Sequence, residues 1–353
     1  MTRADSISQR KSHSKESMTR TKPEDTKLVI CLWHSFTLWR APQEVAKRIR
    51  ERWPSMNKVV QLPNYEHVTD ELPDTDILVG YSLRAEQFAH AKKLKWIHAT
   101  AAGVGQLMYP ELRRSSVLLT NASGIHAVPM SEHLLGMIIA MARHFPDAMR
   151  YQSQGRWAQQ EIWDAKPRPL ELSGRVLLIV GFGSTGRELA RRIQPLGMRI
   201  WGITRSGRGD AQLAERILPV GELANALPQA DFVVLAAPET PETRQMIGAK
   251  EFALMKPEAY LINVARGTLV DEAALAEALR THTIAGAAID VATEEPLPPQ
   301  SPLWKLDNIF ITPHVSAVSE RMWTRQTDLL MENLERWFDG RDLINQVDLQ
   351  RGY

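Results

Sequence analysis

Three side chains in the last quarter of the chain are of the types needed to reduce a carbonyl that sits beside a carboxylate. They are Arg266 in NVARG, Glu295 in DVATEEPLP and His314 in ITPHVSA. An arginine grips a carboxylate through a bidentate fork. A histidine gives or takes the proton of a carbonyl/hydroxyl pair, and a carboxylate beside it favours its protonated form. Taken singly, each has an ordinary reading: an exposed arginine, a loop acid, a histidine near a strand end. Each nevertheless follows an apolar run of strand character, and strand ends are where ligands gather in doubly wound folds. Their chemistry therefore depends on the elements that would bring them together.

The stretch that supplies such a frame is 175–190, RVLLIVGFGSTGRELA. Residues 176–180 form an apolar, β-branched run, the pattern of a strand buried on both faces. Gly181, Gly183 and Gly186 follow as G-x-G-x-x-G, and Leu189, Ile193 and Leu196 then recur at helical spacing until Pro195 and Gly197 end the helix. A strand, tight turn and helix of this kind hold a dinucleotide pyrophosphate at the helix N-terminus, with Ser184 and Thr185 in its first turn. An acid about 20 residues beyond the glycines normally binds the ribose 2′-hydroxyl and selects NAD. Here Thr204 occupies that place and Arg205, Ser206 and Arg208 follow. A guanidinium flanked by hydroxyls suits a 2′-phosphate, so NADP is expected, with NAD as the alternative.

Several further motifs in fixed order resemble the D-isomer-specific 2-hydroxyacid dehydrogenase family. They are ATAAGVGQL (99–107), NASGIHAVPMSEH (121–133), GFGSTG (181–186), LAAPETPETRQMIG (235–248), NVARG (263–267), the 290–298 segment and TPH (312–314). The likeness covers roughly residues 75 to 345. It implies Arg266 as the substrate-orienting residue, His314 as the acid/base and Glu295 as its hydrogen-bonded partner. Glu295 is chosen over Glu294 because it directly precedes the Pro-Leu-Pro run. In the implied reaction, backbone amides at Gly103 and Val104 and the Arg266 side chain hold a 2-oxoacid, and His314 protonates the oxygen as hydride reaches C2. Asp290 is implied at the nicotinamide carboxamide and Pro238 at the adenine, with Val264, Ala265 and Ser316 as further cofactor contacts. The product would be a D-2-hydroxyacid, from glyoxylate, hydroxypyruvate or an aryl pyruvate. Phosphite oxidation is the alternative within the family, whereas formate enzymes carry glutamine in place of the glutamate. A non-catalytic cofactor sensor, like the C-terminal-binding corepressors, is the alternative of another class.

The surrounding pattern is an alternation of strands and helices. Short strands are expected at 28–33, 58–62, 77–80, 94–98 and 117–121, with helices near 42–53 and 84–91. A second series runs 175–180, 199–203, 232–236, 260–264, 284–291 and 308–311, with a helix over 271–280 that Asp271 can cap. Between the two series lie a helix over 130–143, apolar almost all round, and a stretch at 145–172 with little periodicity but with Trp157 and Trp163. Their apolar content suggests a dimerisation helix and arm. A last helix, 319–339, carries Leu330, Leu334 and Trp337 on one stripe and stops at Gly340. The fold class is thus α/β: two doubly wound parallel-sheet domains, Rossmann/flavodoxin-like, with a cleft between them. Residues 27–124 and 317–345 would form the substrate-binding domain and 125–316 the NAD(P)-binding domain. Tyr81, Ser82, Leu83 and Arg84 are candidates to line the cleft. Trp304 is read either as a site residue or as a buried structural tryptophan.

Bulk properties set bounds on these readings. A chain of 353 residues is long for one core. Its net charge is +2, but the first 27 residues hold seven basic and four acidic groups, so the body carries −1. That balance argues against a nucleic-acid partner. The tail, 1–26, reads as disordered, although a transit peptide is the sharper alternative, and the start could be Met1 or Met18. One cysteine, Cys31, suggests a reducing, cytoplasmic setting. The longest apolar stretch, 134–142, is too short to span a membrane. None of the ten histidines forms an H-x-x-x-H or H-E-x-x-H cluster, so no metal is expected. The expected partners are a small 2-oxoacid or 2-hydroxyacid and a second copy of the chain.

Overall fold

The structure, a computed structural model, describes residues 21–352. The chain divides into two compact units, with breaks after Ala122 and after Met322. The borders expected from the sequence are 124/125 and 316/317. Each unit has its own sheet, and every strand pair in both sheets is parallel.

The first unit holds β1 (Lys27–Cys31), β2 (Lys58–Leu62), β3 (Ile77–Gly80), β4 (Trp96–Ala99) and β5 (Leu118–Thr120). They lie in the order β2-β1-β3-β4-β5. β1, β3 and β4 are buried along their whole length, as runs of apolar residues covered on both faces must be. On one face Leu28, Ile30, Ile77, Val79 and Trp96 meet helix Gln43–Arg52 and the C-terminal helix Met322–Asp339. Trp337 of that last helix stacks on Trp96 with ring centroids 5.6 Å apart. Leu330 and Leu334 complete the cluster, and Gly340 ends the helix at φ +68°. The chain then runs beside β5, where Val347 N donates to the Leu119 carbonyl. β2 and β3 have the expected bounds, the other three strands differ from theirs by one or two residues at an end, and the helix expected near 84–91 is only Ala85–Phe88. The expected disordered tail falls on residues 1–20, outside the described residues, and on 21–26, where it is corrected. Pro23–Asp25 form a 3-10 turn, and Thr26 is fully buried with its hydroxyl donating to the Lys22 carbonyl at 2.8 Å.

The second unit holds β6 (Val176–Val180), β7 (Arg199–Thr204), β8 (Arg216–Pro219), β9 (Phe232–Leu235), β10 (Tyr260–Asn263), β11 (Gly286–Ile289) and β12 (Ile309–Ile311). Their order is β12-β11-β10-β9-β6-β7-β8. The strand order reverses between β6 and β9, which places a ligand crevice beyond the carboxyl ends of those two strands. Leu177 and Ile179 pack on the face shared with helix Ala127–Ala142 and helix Ser184–Ile193, whereas Leu178 and Val180 face the other layer. The Asp231 carboxylate pins the start of this sheet, accepting from Val176 N at 2.7 Å and from Lys256 Nζ at 3.0 Å.

Three expectations are corrected in this unit. The sequence reading has no β8, an edge strand with no buried residue. The arm is largely helical, as Phe145–Ser153 and Gln159–Asp164, yet neither helix buries a residue, so no apolar period marks them. Leu196 does not continue the inward stripe of Leu189 and Ile193. Pro195 turns the chain into a 3-10 turn and leaves Leu196 exposed.

Candidate active site

Arg266, Glu295 and His314 follow β10, β11 and β12, three neighbours in one sheet, so their loops emerge on the same carboxyl edge. Glu295 Oε2 accepts from His314 Nδ1 at 2.6 Å, while its Oε1 accepts from Ala292 N at 3.0 Å. The carboxylate is therefore held by its own loop and in turn orients the imidazole. Both side chains are about one-third exposed, at 36% and 35%, so the pair is supported from below and open above. His314 itself has φ +54°, a left-handed conformation that costs a non-glycine residue on the order of 1–3 kcal/mol.

Arg266 lies on the adjoining loop. Asn263 shapes that loop: its Nδ2 donates to the Arg266 carbonyl and its Oδ1 accepts from Ala265 N. One arm of the guanidinium donates to the Ala265 carbonyl at 2.7 Å, and no carboxylate among the described residues pairs with it. The fork is thus steadied at its base and available to an anion from outside. Gly267 sets the spacing to the Glu295 loop. A Cβ there would lie 1.9 Å from Ala292 C and 2.2 Å from its oxygen, a separation no side chain tolerates.

Asp290 follows β11 directly and has no exposed side-chain surface. Its Oδ1 accepts from Thr312 Oγ1 at 2.6 Å and Val315 N at 2.8 Å, and its Oδ2 from Ser316 N at 2.9 Å. Its carbonyl accepts from His314 N at 2.8 Å. The carboxylate that sequence reading aimed at a nicotinamide is thus turned inward onto the turn around His314. Ser316 is buried beside it, as are Val264 and Ala265 at the end of β10.

The glycine loop sits at the crevice. Gly181 has φ +98°, and a Cβ on it would stand 2.4 Å from Ala237 N, so β6 and β9 can approach only through a glycine. A Cβ at Gly186 would meet the Gly181 carbonyl at 2.6 Å, fixing the helix close to the strand. Gly183 differs, with nothing within 4 Å of its Cβ position. It precedes helix Ser184–Ile193, so Ser184 and Thr185 begin a helix whose N-terminus has no side-chain cap from Gly183. This is the shape a pyrophosphate requires, and the residues present fit a dinucleotide.

After β7, the Thr204 hydroxyl donates to the Arg208 carbonyl at 3.2 Å, closing a short loop on which Arg205, Ser206 and Arg208 are exposed. Pro238 is exposed after β9, its carbonyl taken by the Thr243 hydroxyl. The carboxyl of Glu242, in the same loop, is held below its usual range by a hydrogen bond from Thr240 and, more weakly, by the charge of Arg205.

In the first unit, Gly103 is exposed and Val104 buried at the turn after β4, where Asn121 Nδ2 donates to the Ala102 carbonyl. Gln106 Nε2 donates to the Tyr81 carbonyl at 2.8 Å, tying this turn to the loop after β3. Tyr81 and Arg84 are exposed, Ser82 is partly so, and Leu83 is core. Trp304, in the second unit, is 52% exposed with its indole NH donating to the Pro298 carbonyl, which removes the buried structural reading. Asn263, Gly267, His133 and Thr312 were not singled out from sequence. Among the described residues no group of His, Cys, Asp and Glu is arranged to hold a metal ion, and no helix is long and apolar enough to cross a membrane.

Known proteins match this arrangement. Residues 135–316 match the family model described as D-isomer specific 2-hydroxyacid dehydrogenase, NAD binding domain. A glyoxylate reductase of Korarchaeum cryptofilum is 33% identical over 293 residues, spanning 80% of this chain and 87% of that protein. A family protein from Aeromonas salmonicida superposes with a TM-score of 0.78 at 31% identity, over 92% of this chain and 99% of its own. A D-isomer specific 2-hydroxyacid dehydrogenase from Xanthobacter autotrophicus, solved with NADPH and MES, gives 0.80 at 28% identity, over 93% and 100%. On the family model and on relatives matched over most of their length, the chain belongs to the D-isomer specific 2-hydroxyacid dehydrogenase family.

Proposed function

We propose that the protein is an NADPH-preferring reductase that converts a small 2-oxoacid to its D-2-hydroxyacid. The observation that carries the reading is the 2.6 Å His314–Glu295 pair on the strand edge it shares with Arg266. The nicotinamide, when bound, supplies the hydride that goes to C2. Arg266 holds the substrate carboxylate and polarises the keto oxygen. His314, oriented through Nδ1 by Glu295, donates from its other ring nitrogen to the forming alkoxide. Val264, Ala265, Asp290 and Ser316 shape the nicotinamide end, and Pro238 lies at the adenine.

The NADP preference rests on the loop after β7, where Thr204 takes the place usual for a ribose-binding acid and Arg205, Ser206 and Arg208 are exposed. The solved relative that carries NADPH supports it. The glyoxylate reductase of Korarchaeum cryptofilum supports glyoxylate or hydroxypyruvate as substrate. Exposed Phe145, Met149, Trp157 and Trp163 support an arm that meets a second copy. The lone cysteine, Cys31, supports a cytoplasmic setting.

The test is an initial-rate screen of glyoxylate, hydroxypyruvate and aryl pyruvates with NADPH and NADH. Replacing His314 with Gln should lower kcat by about 10²–10⁴-fold, the usual worth of a general acid. A folded wild-type protein that binds NADPH yet oxidises it with no 2-oxoacid would overturn the proposal in favour of a cofactor sensor.

A further inference from the structure

His133, on helix Ala127–Ala142, lies outside the constellation above but is joined to it by a continuous line of hydrogen bonds. Its Nε2 is 3.1 Å from Thr312 Oγ1, and Thr312 Oγ1 is 2.6 Å from Asp290 Oδ1. The Asp290 carboxylate also accepts from Val315 N and Ser316 N, and its backbone carbonyl from His314 N. Every amide from 314 to 316 therefore ends on Asp290.

The protons along this line can be assigned. A threonine hydroxyl carries one proton, and the short contact to a carboxylate already receiving two backbone amides takes it. Thr312 Oγ1 is then an acceptor toward His133, so His133 must hold its proton on Nε2. Burial holds the His133 imidazole below its usual range, against the pull of the Asp290 charge, consistent with a neutral ring that donates.

We infer that His133 is a positioning residue: through Thr312 it fixes the Asp290 carboxylate, and through Asp290 it keeps His314 in its left-handed turn. It touches neither substrate nor cofactor. The strained backbone at His314 needs such a brace, because φ +54° persists only where surrounding contacts over-determine it. The catalytic part of this inference rests on the reading of His314 as the acid.

Two measurements test it. Imidazole 15N NMR of the full chain should show His133 as the Nε2–H tautomer, and His133→Leu should shift the His314 ring resonances. In turnover, His133→Leu should lower kcat about tenfold with cofactor KM within about threefold, since a small misplacement of the acid slows chemistry more than binding. His133→Gln, whose Nε2 can donate from the same place, should recover activity to within about twofold. Thr312→Val should lower kcat similarly, and the double variant should be no slower than the worse single one, as for residues in one line. A proton on Nδ1, or a His133→Leu protein that melts earlier but keeps its kcat, would overturn the inference. If the wild type reduces no 2-oxoacid, the reductase reading fails, and the tautomer and the His314 resonances decide the brace by themselves.

Discussion

Gly267 is the position where a single methyl group should do the most damage to the proposed chemistry. A Cβ there would stand 1.9 Å from Ala292 C, 2.2 Å from Ala292 O and 2.3 Å from Thr293 N, all of them backbone. Carbon pairs rest at about 3.5–4.0 Å, so the Arg266 and Glu295 loops must part by at least roughly 1.5 Å in Gly267→Ala. No rotamer relieves this, because the backbone fixes where a Cβ stands and the atoms it meets are themselves backbone. Misplacing a reacting group by about 1 Å costs on the order of 10²-fold in rate, so kcat should fall by about that factor or more. The same overpacking should destabilise the fold by about 1–3 kcal/mol. The assay is steady-state reduction of the best 2-oxoacid at saturating cofactor, with a thermal melt and a cofactor titration on the same sample. The glycine loop is remote in sequence, so cofactor affinity should stay within about threefold if the damage is confined to the catalytic edge. A folded Gly267→Ala protein with kcat within about twofold of wild type would refute the claim that this close contact sets the geometry.

Three other outcomes follow from the structure. Arg205→Ala should raise KM for NADPH by about 10–100-fold while leaving NADH nearly unchanged, the worth of one charge-assisted bond; equal losses would remove the 2′-phosphate assignment. His98 is fully buried, and burial lowers its imidazole from 6.5 to about 4. The unfolded chain takes up this proton as pH falls through the ordinary range and the native chain does so only near 4. Its contribution to stability is thus complete above the ordinary pKa and is lost downward from there, on the order of 3 kcal/mol in total. Urea unfolding should show that loss between neutral and mildly acidic pH in wild type and much less of it in His98→Phe; the same slope in both would exclude His98 as the source. Trp337→Ala should cost about 3–5 kcal/mol in urea unfolding, whereas a loss below about 1 kcal/mol would mean the last helix is not anchored by its stack on Trp96.

Much of the framework was legible because buried parallel strands leave an unmistakable trace. The runs 77–80 and 176–180 are apolar because neighbours cover both faces. The helix cap at Asp271 was readable for an equally local reason, its carboxylate accepting from Ala273 N and Ala274 N. β8 was not legible, since a half-exposed edge strand needs no apolar run. The arm helices escaped for the same reason, each lacking a buried stripe. At the site, Glu295 and His314 could be named by type and position after a strand, and the structure places them in contact. Asp290 was named too, but not its inward-facing contacts, and the bracing His133 and Thr312 and the crowded Gly267 could not be, because each acts through a contact between segments distant in the chain.

The helix that finishes the first unit has a bearing on the order of events during synthesis. Leu28, Ile30, Ile77, Val79 and Trp96 are made early, but part of their cover, Leu330, Leu334, Trp337 and Leu343, is made only after the whole second unit. The second unit is one unbroken segment and holds all its own strands before then. On the ribosome, the usual N-to-C succession is therefore inverted: the middle of the polypeptide can reach its native form while the beginning, its apolar face covered only in part by helix Gln43–Arg52, still waits for the segment from Trp323 onward to emerge.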